Sequence, residues 1–206
     1  ITLTGLAIAE LYGSDSNNTF TISSWTGTGS INGRGGSDTV VATNNSDFTL
    51  SNSLLIRLGH GNFTLAGVDS AILTGGGSNN SFSISGWTGN ATINGAGGSD
   101  TYTVHLNGTG AGTVSINDSG GTFGDTLTVH GTSAADSFTI SGSQISRSGE
   151  VINYSNLESL TIWGYDGNDT FNISGISIPT VVNGGNGNDG YTVANASAAL
   201  TLNGET

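Results

Sequence analysis

Short runs in which apolar and hydroxyl side chains alternate recur along the chain: "TFTIS" at 19–23, "SFSIS" at 81–85 and "TYTV" at 101–104. A period of two puts successive side chains on opposite faces, so each run predicts a strand with one apolar and one hydroxylated face. Only "LAIAEL" (6–11) and "NLESL" (156–160) offer consecutive helix formers, each about one turn long. The pattern therefore predicts an all-β protein.

The strands are organised by repeats. "LTGLAIAELYGSDSNNTF" (3–20), "LAGVDSAILTGGGSNNSF" (65–82) and "YSNLESLTIWGYDGNDTF" (154–171) align without gaps. Beyond their final residues, Phe20, Phe82 and Phe171, the register continues through Asn32, Asn94 and Asn183 to Asp38, Asp100 and Asp189. Glycine-led turns begin at Gly13, Gly33, Gly75, Gly95, Gly120, Gly131, Gly164 and Gly184, and three pairs of them lie 20 residues apart. This spacing predicts a single elongated β-solenoid, parallel β-helix-like, of about ten coils of roughly 20–22 residues. One continuous solenoid would cover 1–206, with super-repeats at 1–61, 62–150 (carrying an insertion near 105–131) and 151–206. Asn32, Asn94 and Asn183 are expected to form a structural ladder, with Phe20, Phe82 and Phe171 as packing rungs.

Charge narrows the partners. The chain carries no Lys, three Arg and a net charge of −12. Nucleic acid and anionic membranes need clustered bases, so both are poor partners, and bound cations are favoured. No apolar run is long enough to span a membrane. Cys and Met are absent, which fits an exposed, oxidising setting held together without disulfides. The acids recur at turn positions, and His60, His105 and His130 stand at unrelated phases. No nucleophile and base pair can be built from these spacings, so the reading is of a protein that is not an enzyme.

Four sets of candidate residues follow. The first is a calcium site. "GGNGNDGYT" (184–192) fits a calcium-binding nonapeptide, and calcium takes six to eight oxygen ligands. Stacked on "GYDGND" (164–169), it would gather Asp166, Asp169, Asn186, Asn188 and Asp189. The competing reading is a Gly/Asx turn kept for its shape. Second, Trp25 and Trp87 occupy equivalent places and are candidate glycan contacts, or else packing positions. Third, sequons such as Asn17, Asn79, Asn90, Asn168 and Asn172 are candidate glycosylation sites. Fourth, the tail reads on into the head: joined, Gly204-Glu205-Thr206-Ile1 falls on Gly149-Glu150-Val151-Ile152. Ile1, Thr2, Leu3, Gly204, Glu205 and Thr206 thus mark an expected assembly junction for a head-to-tail homopolymer, or for one period of a longer tandem array.

The stretch 125–175, "DTLTVHGTSAADSFTISGSQISRSGEVINYSNLESLTIWGYDGNDTFNISG", resembles the repeats of very large bacterial surface and secreted proteins, in the neighbourhood of the repeats-in-toxin calcium β-rolls. The resemblance covers most of the chain. It implies an extracellular β-solenoid that builds or spaces a surface structure and has no enzymatic activity. The turns here recur at 20 residues, whereas β-roll nonapeptides follow one another directly. Two functions stay open: a structural fibre or surface appendage, and an adhesin-type module that binds glycans or calcium.

Overall fold

A computed structural model describes residues 7–23, 25–108, 112–121 and 124–205. All the regular elements are strands, numbered in chain order. The first sheet holds, in spatial order, β1 (Ile8–Tyr12), β3 (Thr28–Asn32), β7 (Phe63–Ala66), β6 (Leu54–Arg57), β5 (Phe48–Ser51), β9 (Ser81–Ser85), β11 (Thr101–His105), β13 (Thr126–His130), β17 (Ser159–Asp166), β19 (Thr180–Asn186) and β21 (Leu200–Glu205). The second holds β2 (Thr19–Thr21), β4 (Thr39–Thr43), β8 (Ser70–Thr74), β10 (Asn90–Asn94), β12 (Thr113–Asn117), β16 (Glu150–Ser155), β15 (Gln144–Arg147), β14 (Ser137–Ile140), β18 (Thr170–Ile173) and β20 (Gly190–Val193).

The all-β expectation stands, but the single parallel solenoid of uniform coils does not. The described residues form two large mixed sheets, of eleven and ten strands. Most neighbours are parallel, yet β5, β6 and β7 form an antiparallel meander in the first sheet. Strands β14, β15 and β16 form another in the second. Alternation along a strand fixes which face is buried and says nothing of the direction of its neighbour, so the repeat period concealed both meanders.

The apolar sides of the two sheets share one core. Strand β11 alternates in burial, with Tyr102 and Val104 inside, and β9 does likewise with Phe82 and Ile84. Parallel register turns equal positions into columns. Phe48, Phe82 and Tyr102 stack at 5.1 and 5.3 Å in the first sheet, and Phe138, Phe171 and Tyr191 at 5.2 and 5.2 Å in the second. Such offset aromatic pairs add about 0.5–1.5 kcal/mol each beyond the area they bury. Phe82 and Phe171 are therefore packing rungs as expected. Phe20 is only half-buried and pairs with Val40, outside any aromatic stack.

Each meander carries a buried arginine directly across from its first phenylalanine: Arg57 opposite Phe48, and Arg147 opposite Phe138. Arg57 is fully buried, and its guanidinium donates to Ile22 O (2.7 Å), Asn44 Oδ1 (3.3 Å) and Gly61 O (2.9 and 3.2 Å). It also lies 5.3 Å over the Phe63 ring, and burial pushes its pKa down. Arg147 instead pairs with two buried acids, Asp136 and Glu150, the latter at 3.0 Å.

Candidate metal centre

The Gly-led turns each place an Asp or Asn five residues after the glycine, immediately before a strand. Its carboxylate or amide reaches neighbouring backbone. Asp38 Oδ1 accepts from Asn18 N (2.8 Å), Asp100 Oδ1 from Asn80 N (2.6 Å), Asp125 Oδ1 from Asp100 N (2.7 Å) and Asp189 Oδ1 from Asp169 N (2.9 Å). Glu158 Oε2 extends one column by accepting from Asp125 N (2.6 Å). These acid-to-amide bonds are rungs between adjacent parallel strands, and they satisfy buried N–H groups where the turns interrupt the ladder.

The turns fall into two conformations. In those led by Gly13, Gly75 and Gly131, the Asx side chain instead accepts from the second residue of its own turn: Ser14, Gly76 and Thr132. In the other five, that second residue (Arg34, Ala96, Gly121, Tyr165 or Gly185) has φ between 70° and 98°. Its N–H points elsewhere. The second oxygen of the matching Asp (38, 100, 125, 169 or 189) is buried with no hydrogen-bond partner. The lead glycine is required in these turns, because a Cβ on Gly95 or Gly184 would stand 2.1 Å from the Asp oxygen.

At one level a third carboxylate joins the column. Strands β10 and β12 pair Ile93 with Ile116, and two residues further on stand Gly95 and Asp118. Asp118 thus takes the place of a lead glycine. Asp100, Asp118 and Asp125 are 0, 1 and 0 % exposed, and one oxygen from each lies within 4.8 Å of the others. Asp118 Oδ2 accepts from the Tyr102 hydroxyl (2.6 Å), which itself accepts from Gly95 N (2.7 Å). Burial, and then the negative charges of Asp118 and Asp125, hold the Asp100 carboxyl up at about 6; burial and the charges of Asp118 and Glu158 push Asp125 up as well. Three clustered carboxylates with unpartnered oxygens on Asp100 and Asp125 fit a hard cation, whose charge would relieve the repulsion. This buried trio could hold a metal ion.

The cluster expected at 164–189 does not converge. Asp166 is exposed and accepts from Asn186 Nδ2 at 2.9 Å, and Asn188 donates its N–H to Asn168 Oδ1 at 2.9 Å. Asp169 and Asp189 belong to the rung column instead. The sequence signal for the Asp100–Asp118–Asp125 trio was the 25-residue interval between Gly95 and Gly120, where three other successive pairs lie 20 apart. Two extra residues between Asp118 and Asp125 lengthen that turn and bring an added acid.

The other candidates are placed as follows. Asn32 and Asn94 cap their own turns by accepting from Arg34 N and Ala96 N, and only Asn183 stacks on another Asn, Asn203 (2.8 Å). The three lie on different strands and form no single ladder. Trp87 is buried and Trp25 half-buried, each against the core and close over a glycine, Gly89 and Gly27. Asn17, Asn79, Asn90, Asn168 and Asn172 are all exposed. Of the junction residues, Gly204 and Glu205 end β21, while Ile1, Thr2, Leu3 and Thr206 lie outside the described residues. No protein-family model matches the chain, and no curated protein matches it.

Proposed function

We propose that the chain is a structural segment of an extracellular fibre or surface protein, in which the open ends of the two sheets are covered by the next copy or the next repeat. The observation that carries this reading is the exposure of core columns at the last strands. Ile140 and Ile173 are 0 and 2 % exposed, but Val193, next in the column, is 44 % exposed. Ile162 and Val182 are fully buried, but Leu202 beside them is 38 % exposed. Another strand pair would cover these side chains and meet the unpaired edges of β20 and β21, which otherwise invite association. A contact of this kind is heterologous and does not close, so it propagates into a filament.

The net charge of −12 discourages lateral clumping, and the resemblance to large bacterial surface repeats supports an extracellular setting. The Asp100–Asp118–Asp125 centre is assigned to calcium, whose preference for buried carboxylate oxygens it meets. Electron microscopy and sedimentation of the purified chain test the assembly: end-to-end filaments, or mass growing with concentration, are expected. A chain that stays monomeric at high concentration and is retarded on a glycan matrix would favour the adhesin reading.

A further inference from the structure

The outer face of the first sheet carries a ring stack unrelated to the core. His105, His130 and Trp163 are register neighbours on β11, β13 and β17. The two imidazoles stack at 4.3 Å with planes 8° apart. Tyr165 joins them, its ring 5.7 Å from His130 and 6.4 Å from Trp163. Its hydroxyl lies 2.6 Å from His130 Nδ1. Tyr165 takes this place with φ at 80°, the left-handed conformation that the second residue of four other Gly-led turns also adopts. Tyr165 remains 42 % exposed.

A phenol gives up an electron far more readily when its proton leaves in the same step, and a neutral imidazole in hydrogen-bond contact is a suitable base. Burial, and then the neighbouring His105, push the His130 pKa down, which favours the neutral ring. With the proton on Nε2, Nδ1 accepts the phenol. We propose that Tyr165 is the chain's site of one-electron oxidation, its phenol proton passing to His130 Nδ1, and that two such radicals on neighbouring chains join as a dityrosine cross-link. The oxidant is hydrogen peroxide acting through a haem peroxidase. Two Tyr165 phenols each lose one electron and one proton, peroxide takes both electrons and both protons to give two waters, and a carbon–carbon bond forms between the ring positions ortho to oxygen. The bridge forms when two radical-bearing chains collide and does not depend on end-to-end stacking.

Tyr12 is the internal control. It is more exposed, at 58 %, but its hydroxyl contacts only the Glu10 carboxylate at 3.2 Å, a weaker base at greater distance. The test treats the full chain with a haem peroxidase and limiting peroxide, and locates dityrosine by peptide mass spectrometry. Bridges at Tyr165 are expected to dominate, to survive Tyr12→Phe and to vanish in Tyr165→Phe. His130→Phe keeps a stacking ring and removes the base, and should slow bridging roughly tenfold, equivalent to about 1.4 kcal/mol at the barrier. The unaltered chain should also react more slowly in D2O. Bridging mainly at Tyr12, an undiminished rate in His130→Phe, or an equal rate in D2O would each overturn the proposal.

Discussion

The backbone N–H of Asp100 donates to Oδ1 of Asp125 at 2.7 Å, while the other oxygen of each carboxylate is buried without a partner. One oxygen ties two strands together and the other is free to take a ligand. This division of labour recurs down the acid columns, but among the described residues only here does a third carboxylate, Asp118, come within reach.

Calcium should therefore stabilise the folded chain. At a free concentration of 100 times its Kd the gain is about 2.7 kcal/mol, or roughly 5–10 °C in Tm for a chain of this size. Thermal melting with and without chelator checks it. Asp118→Asn should abolish the response, whereas Asp166→Asn, on the exposed turn, should leave it unchanged. A calcium response that survives Asp118→Asn would move the site elsewhere.

Without cation, burial of Asp100, and then the charges of Asp118 and Asp125, set a pH dependence. Asp100 binds its proton more tightly folded than unfolded, with a pKa of about 6 against an ordinary 3.8. The stabilisation from its protonated form is full below about pH 4 and is lost as pH rises through about 6. The chelated chain should melt at a higher temperature at pH 5 than at pH 7. Asp100→Asn should flatten that difference, as followed by circular dichroism.

Strands, their buried faces and the Gly-to-Asx turn were legible in the sequence because side-chain alternation and turn chemistry are local. The antiparallel meanders were not, since Phe48 and Arg57 give no sign that their strands run in opposite directions. The Asp100–Asp118–Asp125 trio was missed for a related reason. Asp118 occupies a glycine's place only once β10 and β12 are in register, a relation across strands that no nonapeptide motif contains. The cluster expected around Asp166 failed because residues three apart on a tight turn face opposite sides of it: Asp166 outward, Asp169 inward.

The two buried arginines should differ from ordinary surface bases. Arg147→Leu strips Asp136 and Glu150 of their cation and is expected to cost about 3–5 kcal/mol in urea unfolding. Arg57→Leu orphans the carbonyls of Ile22 and Gly61 and should cost somewhat less, about 2–3 kcal/mol. Losses below about 1 kcal/mol for either would contradict the buried networks.

Glycines separate by environment. Gly184→Ala would drive a methyl to 2.1 Å from Asp189 Oδ2 and 2.5 Å from the Tyr191 hydroxyl, and should cost more than about 2 kcal/mol. Gly77→Ala meets nothing within 4 Å and should fall within about 0.5 kcal/mol of the parent. Chemical denaturation of the pair provides the contrast.

Assembly can be probed at the last strand. Leu202→Lys places a charge where the proposed next layer would seat. It should leave the isolated chain's Tm nearly unchanged and abolish filament growth in sedimentation runs.

The two meanders lie in opposite sheets, and this has a geometric consequence. Each meander sets two additional strands beside its own sheet, advancing that sheet by about 10 Å relative to its partner at about 4.8 Å per strand. A single meander would leave one wall of the structure taller than the other and force every later crossing to slope. With β5–β7 raising one wall and β14–β16 raising the other, the heights are restored before the final strands. After the second meander the walls match strand for strand up to β19 and β20, and β21 alone carries the first sheet one strand further.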